Sequence, residues 1–143
     1  MTLRDLTNII NAAGEAQPSV RTVVPLDVFR LNTMPDARYG VFAWTQQQHR
    51  IDVERGFARF AFTLFYVDRI DDSRDNEIIV QSTGVSTLAN VIRTVLASGV
   101  DMDGEALFQP FTQRFADDCA GVFTNVTFFV PLDTTCAETY DDE

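Results

Sequence analysis

At 143 residues, with a formal net charge of -10, a pI near 4.4 and 45% hydrophobic residues, the chain has the length and apolar content of one folded domain. All 11 basic residues are Arg and the only histidine is His49, which excludes lysine Schiff-base chemistry, a P-loop lysine and sites built from several histidines. Asp supplies 15 of the 21 acidic residues and the arginines are scattered, so the surface repels phosphate backbones and anionic bilayers rather than binding them.

The spacing predicts a first helix over residues 2–13. Leu3, Leu6, Ile9, Ile10 and Ala13 recur at steps of three and four, Thr2 and Asp5 suit a capping box, and Gly14 reads as the stop. The N-terminal stretch lacks a long apolar core, and no 18-residue apolar run exists anywhere, so a protein made and folded in the cytosol is expected.

Strands follow. Residues 20–31 alternate through Val24, Leu26 and Val28, with Pro25 pointing to an edge strand or a bulge. Tyr39–Thr45 is a second strand, leading into the polar Gln46-Gln47-Gln48-His49-Arg50. Residues 57–68 give the strongest strand signal, with Phe60, Phe62, Leu64 and Tyr66 on one face. If 39–48 and 51–67 pair directly, their hairpin end, Gln46–Gly56, projects beyond the sheet as an arm. Its Arg50, Asp52, Glu54 and Arg55 offer both charge signs, a suitable device for fixing the register of a subunit contact.

After a charged turn at 68–76 comes the main helix, 77–98. Its stripe is Val85, Leu88, Ile92, Val95 and Leu96, with Asp75 or Asn76 as cap and Gly99 as stop. Leu107–Phe115 and Val122–Val130 read as a closing hairpin whose turn is Ala116–Gly121, with Arg114 set to pair Asp117 or Asp118 across it. The tail 133–143 is polar and acidic. The expected fold is α+β: a mainly antiparallel sheet of about five strands with two helices packed on one face, in a single domain over 1–132.

Chemical motifs are sparse. The calcium-like Asp101-Met102-Asp103-Gly104-Glu105 has Pro110 where a bidentate Glu belongs. The pairs Asp71-Asp72 and Asp117-Asp118 suit magnesium or acid–base work only if the fold turns both carboxylates to one point. Cys119 has no base but His49, which reads as an exposed loop histidine, and the spacing of Cys119 and Cys136 matches no metal motif. No catalytic, metal or cofactor-binding residue is therefore assigned.

The order helix, strand, long hairpin, helix, closing hairpin, together with Gln109–Gly121 (QPFTQRFADDCAG) and the following VFTNVTFFVP, resembles the tail-terminator and tail-completion (neck) proteins of tailed bacteriophages. The resemblance covers about residues 2–132. It implies a non-enzymatic virion protein that needs no cofactor and forms a ring, commonly a hexamer, between the tail tube and the head connector. DNA passes the lumen without specific binding, and no membrane is involved. Carried onto this chain, the implied subunit and lumen contacts are Gln48, His49, Arg50, Asp52, Glu54 and Arg55 on the arm, and Arg114, Asp117 and Asp118 at the closing turn. Terminator, stopper and other tail or baseplate roles all fit. A small hydrolase using Asp117 and Asp118 and a cellular binding module stand as alternatives.

Overall fold

The strand expected at 57–68 is the axis of the sheet. The computed structural model describes residues 1–26, 39–70, 75–114 and 118–132, with backbone only for 113, 114 and 118. The element order is α1 (Leu3–Glu15), β1 (Thr22–Val24), β2 (Val41–Gln46), β3 (Arg50–Asp52), β4 (Phe57–Arg69), α2 (Glu77–Ala97), β5 (Asp101–Met102), β6 (Leu107–Arg114) and β7 (Asp118–Pro131). β4 pairs β7 antiparallel along its whole length, from Phe57↔Pro131 to Arg69↔Cys119. On its other edge β4 takes β2 and then β3, while the far edge of β7 takes β6 and then β5.

Among the described residues, seven strands thus occupy five positions across one sheet, in the order β1, β2 with β3, β4, β7, β6 with β5. The sheet is larger than the five strands expected, and it is mixed, because β1 runs parallel to β2. β1 lies at the sheet edge and ends before Pro25, which has no N–H to donate to a ladder. The rest of the predicted strand 20–31, from residue 27 on, lies outside the described residues, as do Asp71, Asp72, Phe115–Asp117 and the tail 133–143.

Alternation on the central strands builds the core. Phe42 and Trp44 of β2, Phe60, Phe62, Leu64 and Tyr66 of β4, and Val122, Val126, Phe128 and Val130 of β7 share one face. Leu6, Ile10 and Ala13 of α1 and Val80, Leu88, Val91, Ile92 and Val95 of α2 pack on it. A buried leucine or phenylalanine here is worth roughly 1.5–3 kcal/mol of transfer free energy. Trp44 satisfies its indole N–H by donating to Asn11 Oδ1 at 2.6 Å, which ties α1 to β2.

The predicted capping box forms: Thr2 Oγ1 accepts from the Asp5 N–H at 3.1 Å, and Asp5 Oδ2 from the Thr2 N–H at 3.0 Å. These bonds hold the Asp5 carboxyl below its ordinary pKa. Three local expectations are corrected. Gly14 does not stop α1 but lies inside it, where a Cβ would sit 2.3 Å from Phe42 Cδ2, so glycine is there for close approach to the sheet. Val85 is exposed rather than on the buried stripe of α2, because Gly84 is the residue that meets Tyr66 and Val122. Asn76 occupies the N-cap position, yet its side-chain amide donates to the Arg69 carbonyl (3.3 Å) instead of capping.

The sheet's other face carries no helix among the described residues. Part of it is buried within the chain: Val24, Val41, Ala43, Val67 and Cys119 are wholly inaccessible and form a second small cluster with Tyr39, Phe65 and Phe111.

Candidate functional site

The arm end of the sheet is built by a change of register. Gln46 pairs Phe62 and Arg50 pairs Arg59, so three residues, 47–49, stand opposite two, 60–61. This is a β-bulge, and His49 fills it. The Gln47 N–H donates to the Ala61 carbonyl at 2.8 Å, as a ladder residue would. The Ala61 N–H then donates at 3.1 Å not to a carbonyl but to His49 Nδ1. With Nδ1 accepting, Nε2 carries the proton and donates to Gln46 Oε1 at 2.9 Å. The imidazole stands edge-on to Phe60, with ring centroids 5.3 Å apart, and lies 5.7 Å from Phe62. His49 is therefore a half-buried structural residue, not the exposed loop histidine expected, and burial lowers its pKa from 6.5.

Beyond the bulge, Asp52 and Gly56 close the arm. The Gly56 N–H donates to the Asp52 carbonyl at 2.9 Å, the Arg55 N–H to Asp52 Oδ1 at 3.0 Å, and Gly56 takes φ +74°, a conformation that favours glycine. Arg55 lies 3.8 Å from Asp52, an exposed pair worth at most about 1 kcal/mol. The arm is shorter than the sequence suggested. β7 follows β4 to Phe57, and the Leu132 N–H donates to the Gly56 carbonyl at 2.7 Å, so only the turn 53–56 stands clear. Its outer surface carries apolar side chains as well as charges, with Ile51 52% and Val53 79% exposed.

The opposite edge of the sheet breaks at the same level. Met102 pairs Phe128 and Leu107 pairs Asn125, leaving four residues, 103–106, against two. The Asp103 N–H donates to the Thr127 carbonyl at 2.9 Å, and Thr127 pairs Ala61. Between the two breaks, on the helix-free face, lies a concavity of about 360 Å³. Arg59 lines it, its Nε 3.3 Å from Asp103 Oδ2 and its guanidinium 4.9 Å from the Phe129 ring, which itself stacks on Phe57. Alongside runs a polar chain in which Gln47 Nε2 donates to Thr63 Oγ1 and Thr63 Oγ1 to Asn125 Oδ1, each at 2.6 Å.

Eight of the nine expected contact residues are among the described residues, and they lie in two groups. Gln48, His49, Arg50, Asp52, Glu54 and Arg55 come together at the arm. Arg114 and Asp118 pair in register at the other end of β7, whose 14 residues put about 40 Å between the groups. Asp117 lies outside the described residues, as does Cys136. The expected turn at 116–121 is corrected. From Asp118 onward the chain is already strand, because Gly121 passes so close to Tyr66 that a Cβ would lie 1.8 Å from its carbonyl oxygen. Arg59, Asp103 and the polar chain on Thr63 were missed; an Arg inside the apolar run 57–62 was the available signal for Arg59.

At the far end, Tyr66 is buried with its hydroxyl 3.4 Å from the Ser19 carbonyl and 3.5 Å from Asp68, and its pKa is pushed up to about 12, chiefly by burial. Among the described residues no three His, Cys, Asp or Glu side chains group as a metal site would require, and no helix is long and apolar enough to cross a membrane. No protein-family model matches the chain, and no curated protein matches it.

Proposed function

We propose that the chain is a structural subunit of a tailed-bacteriophage virion that forms a homo-oligomeric ring, a hexamer by resemblance, at the head–tail junction. Its partners are further copies of itself, the tail tube and the head connector. The observation that carries this reading is the pair of exposed apolar patches at opposite ends of the sheet. Ile51 and Val53 mark the arm, while Ile78 and Ile79, at the start of α2, are 73% and 65% exposed. The start of α2 is fixed to the far end through the Asn76 bond to Arg69 and the hydrogen bond of Thr112 to Glu77. Two different patches at opposite ends suit head-to-tail contacts between copies, which close into a ring when the rotation per subunit allows. Glu54 and Arg55 around the arm patch supply charges of both signs to fix register.

Sedimentation of the purified chain, alone and after incubation with assembled tails, tests the reading. A ring-sized species in either condition is expected, and it is lost in the double variant Ile51→Asp, Val53→Asp. A monomer in both conditions refutes it.

A further inference from the structure

The concavity on the helix-free face has a chemistry of its own, independent of whether the chain forms a ring. It is lined by Gln47, Gln48, Arg50, Arg59, Asp103 and Thr127, together with Ala61. Arg59 meets Asp103 through Nε, and its two Nη groups have no acceptor among the described residues. The Asp103 pair and the Phe129 ring hold the guanidinium in place, so little side-chain freedom remains to be lost on binding. Arg50, exposed on the adjoining strand, has no ion-pair partner among the described residues. Two guanidiniums against one carboxylate leave one unit of positive charge, in a chain whose net charge is -10.

We infer that this concavity is a carboxylate-binding site, with Arg59 and Arg50 gripping the two oxygens and the amides of Gln47 and Gln48 completing the contacts. A guanidinium fork matches a carboxylate in plane and spacing, and the single net positive charge matches a single negative one. Phosphate fits less well, because its second charge would face Asp103. At about 360 Å³ the space accepts a small acid or one Asp or Glu side chain of a protein segment.

The test is an amide-resolved NMR titration of the full chain at low ionic strength with three probes: succinate, acetyl-Gly-Glu-Gly-amide and inorganic phosphate. Saturable shifts are expected at Gln47–Arg50, Arg59 and Asp103 with at least one carboxylate. Equal binding of succinate and peptide identifies a small acid as sufficient, whereas preference for the peptide identifies a protein segment. Arg59→Gln and Arg50→Gln each weaken binding roughly tenfold. Arg50 is exposed, so its variant keeps the test valid if Arg59→Gln impairs folding. Asp103→Asn keeps an oxygen to accept the Arg59 Nε–H while removing the competing charge, and so tightens binding. The inference is overturned by the absence of saturable shifts, by tighter binding of phosphate than of either carboxylate, by unchanged binding in Arg50→Gln, or by weaker binding in Asp103→Asn.

Discussion

Acidification should loosen the arm through one atom. His49 Nδ1 accepts the Ala61 N–H in place of a backbone carbonyl, and it does so only while unprotonated. A proton added there points at the Ala61 donor, and burial already disfavours the charged ring, so the pKa in the folded state lies below 6.5. Between the folded value and 6.5 the unfolded chain binds more protons, and stability falls as the pH falls. The contribution is complete above 6.5 and is lost on descent toward the folded pKa. One proton sets a ceiling of about 1.4 kcal/mol per pH unit, and partial solvent exposure of the ring keeps the real slope below it. His49→Ala removes the acceptor, at about 0.5–1.5 kcal/mol, and the edge contact with Phe60, at a similar amount, for a total of about 1–3 kcal/mol at pH 7.5. Urea unfolding of both proteins at pH 7.5 and 5.5 is the assay. Because His49 is the only histidine, the difference between the two pH slopes isolates its titration from the background of carboxylates. Equal slopes, or a parent protein that gains more stability on acidification than the variant does, would refute the reasoning.

Other substitutions probe the packing. Gly14→Ala gains about 1 kcal/mol in helix propensity but drives a methyl to 2.3 Å from Phe42 Cδ2, so a net loss of about 1–2 kcal/mol is expected in the urea midpoint, and any gain contradicts the close-approach account. Thr124 Oγ1 is buried without a hydrogen-bond partner among the described residues; Thr124→Val should therefore stabilise by about 1 kcal/mol and raise Tm by about 3 °C in calorimetry, and a lower Tm would show that the hydroxyl has a partner. Asp103→Ala deletes an exposed pair with Arg59 and should cost no more than about 1 kcal/mol, with the difference shrinking in 1 M salt; a larger, salt-independent loss would mean that the loop itself depends on this side chain.

The elements legible in the sequence are those whose packing is periodic. Phe60, Phe62, Leu64 and Tyr66 alternate because β4 is central, and Thr2 with Asp5 announces α1 through a local hydrogen-bond pattern. What escaped depends on contacts between distant residues. Gly14 and Gly121 look like a stop and a turn, yet both serve close approaches, to Phe42 and to Tyr66, that no local window contains. The parallel pairing of β1 is a matter of chain path, not of side chains in three residues. At the candidate site, the polar run Gln46–Arg50 carries no periodicity, so the bulge and the role of His49 in the ladder were invisible. The charges of the arm were legible as charges, but its shortness follows from β7 continuing to Pro131 beside Phe57.

The central claim, a subunit of the head–tail junction, is tested most directly by negative-stain microscopy of virions labelled with an antibody to the chain. Label confined to the junction between head and tail is the predicted result. Virions without label, or label confined to the distal tip of the tail, would contradict it.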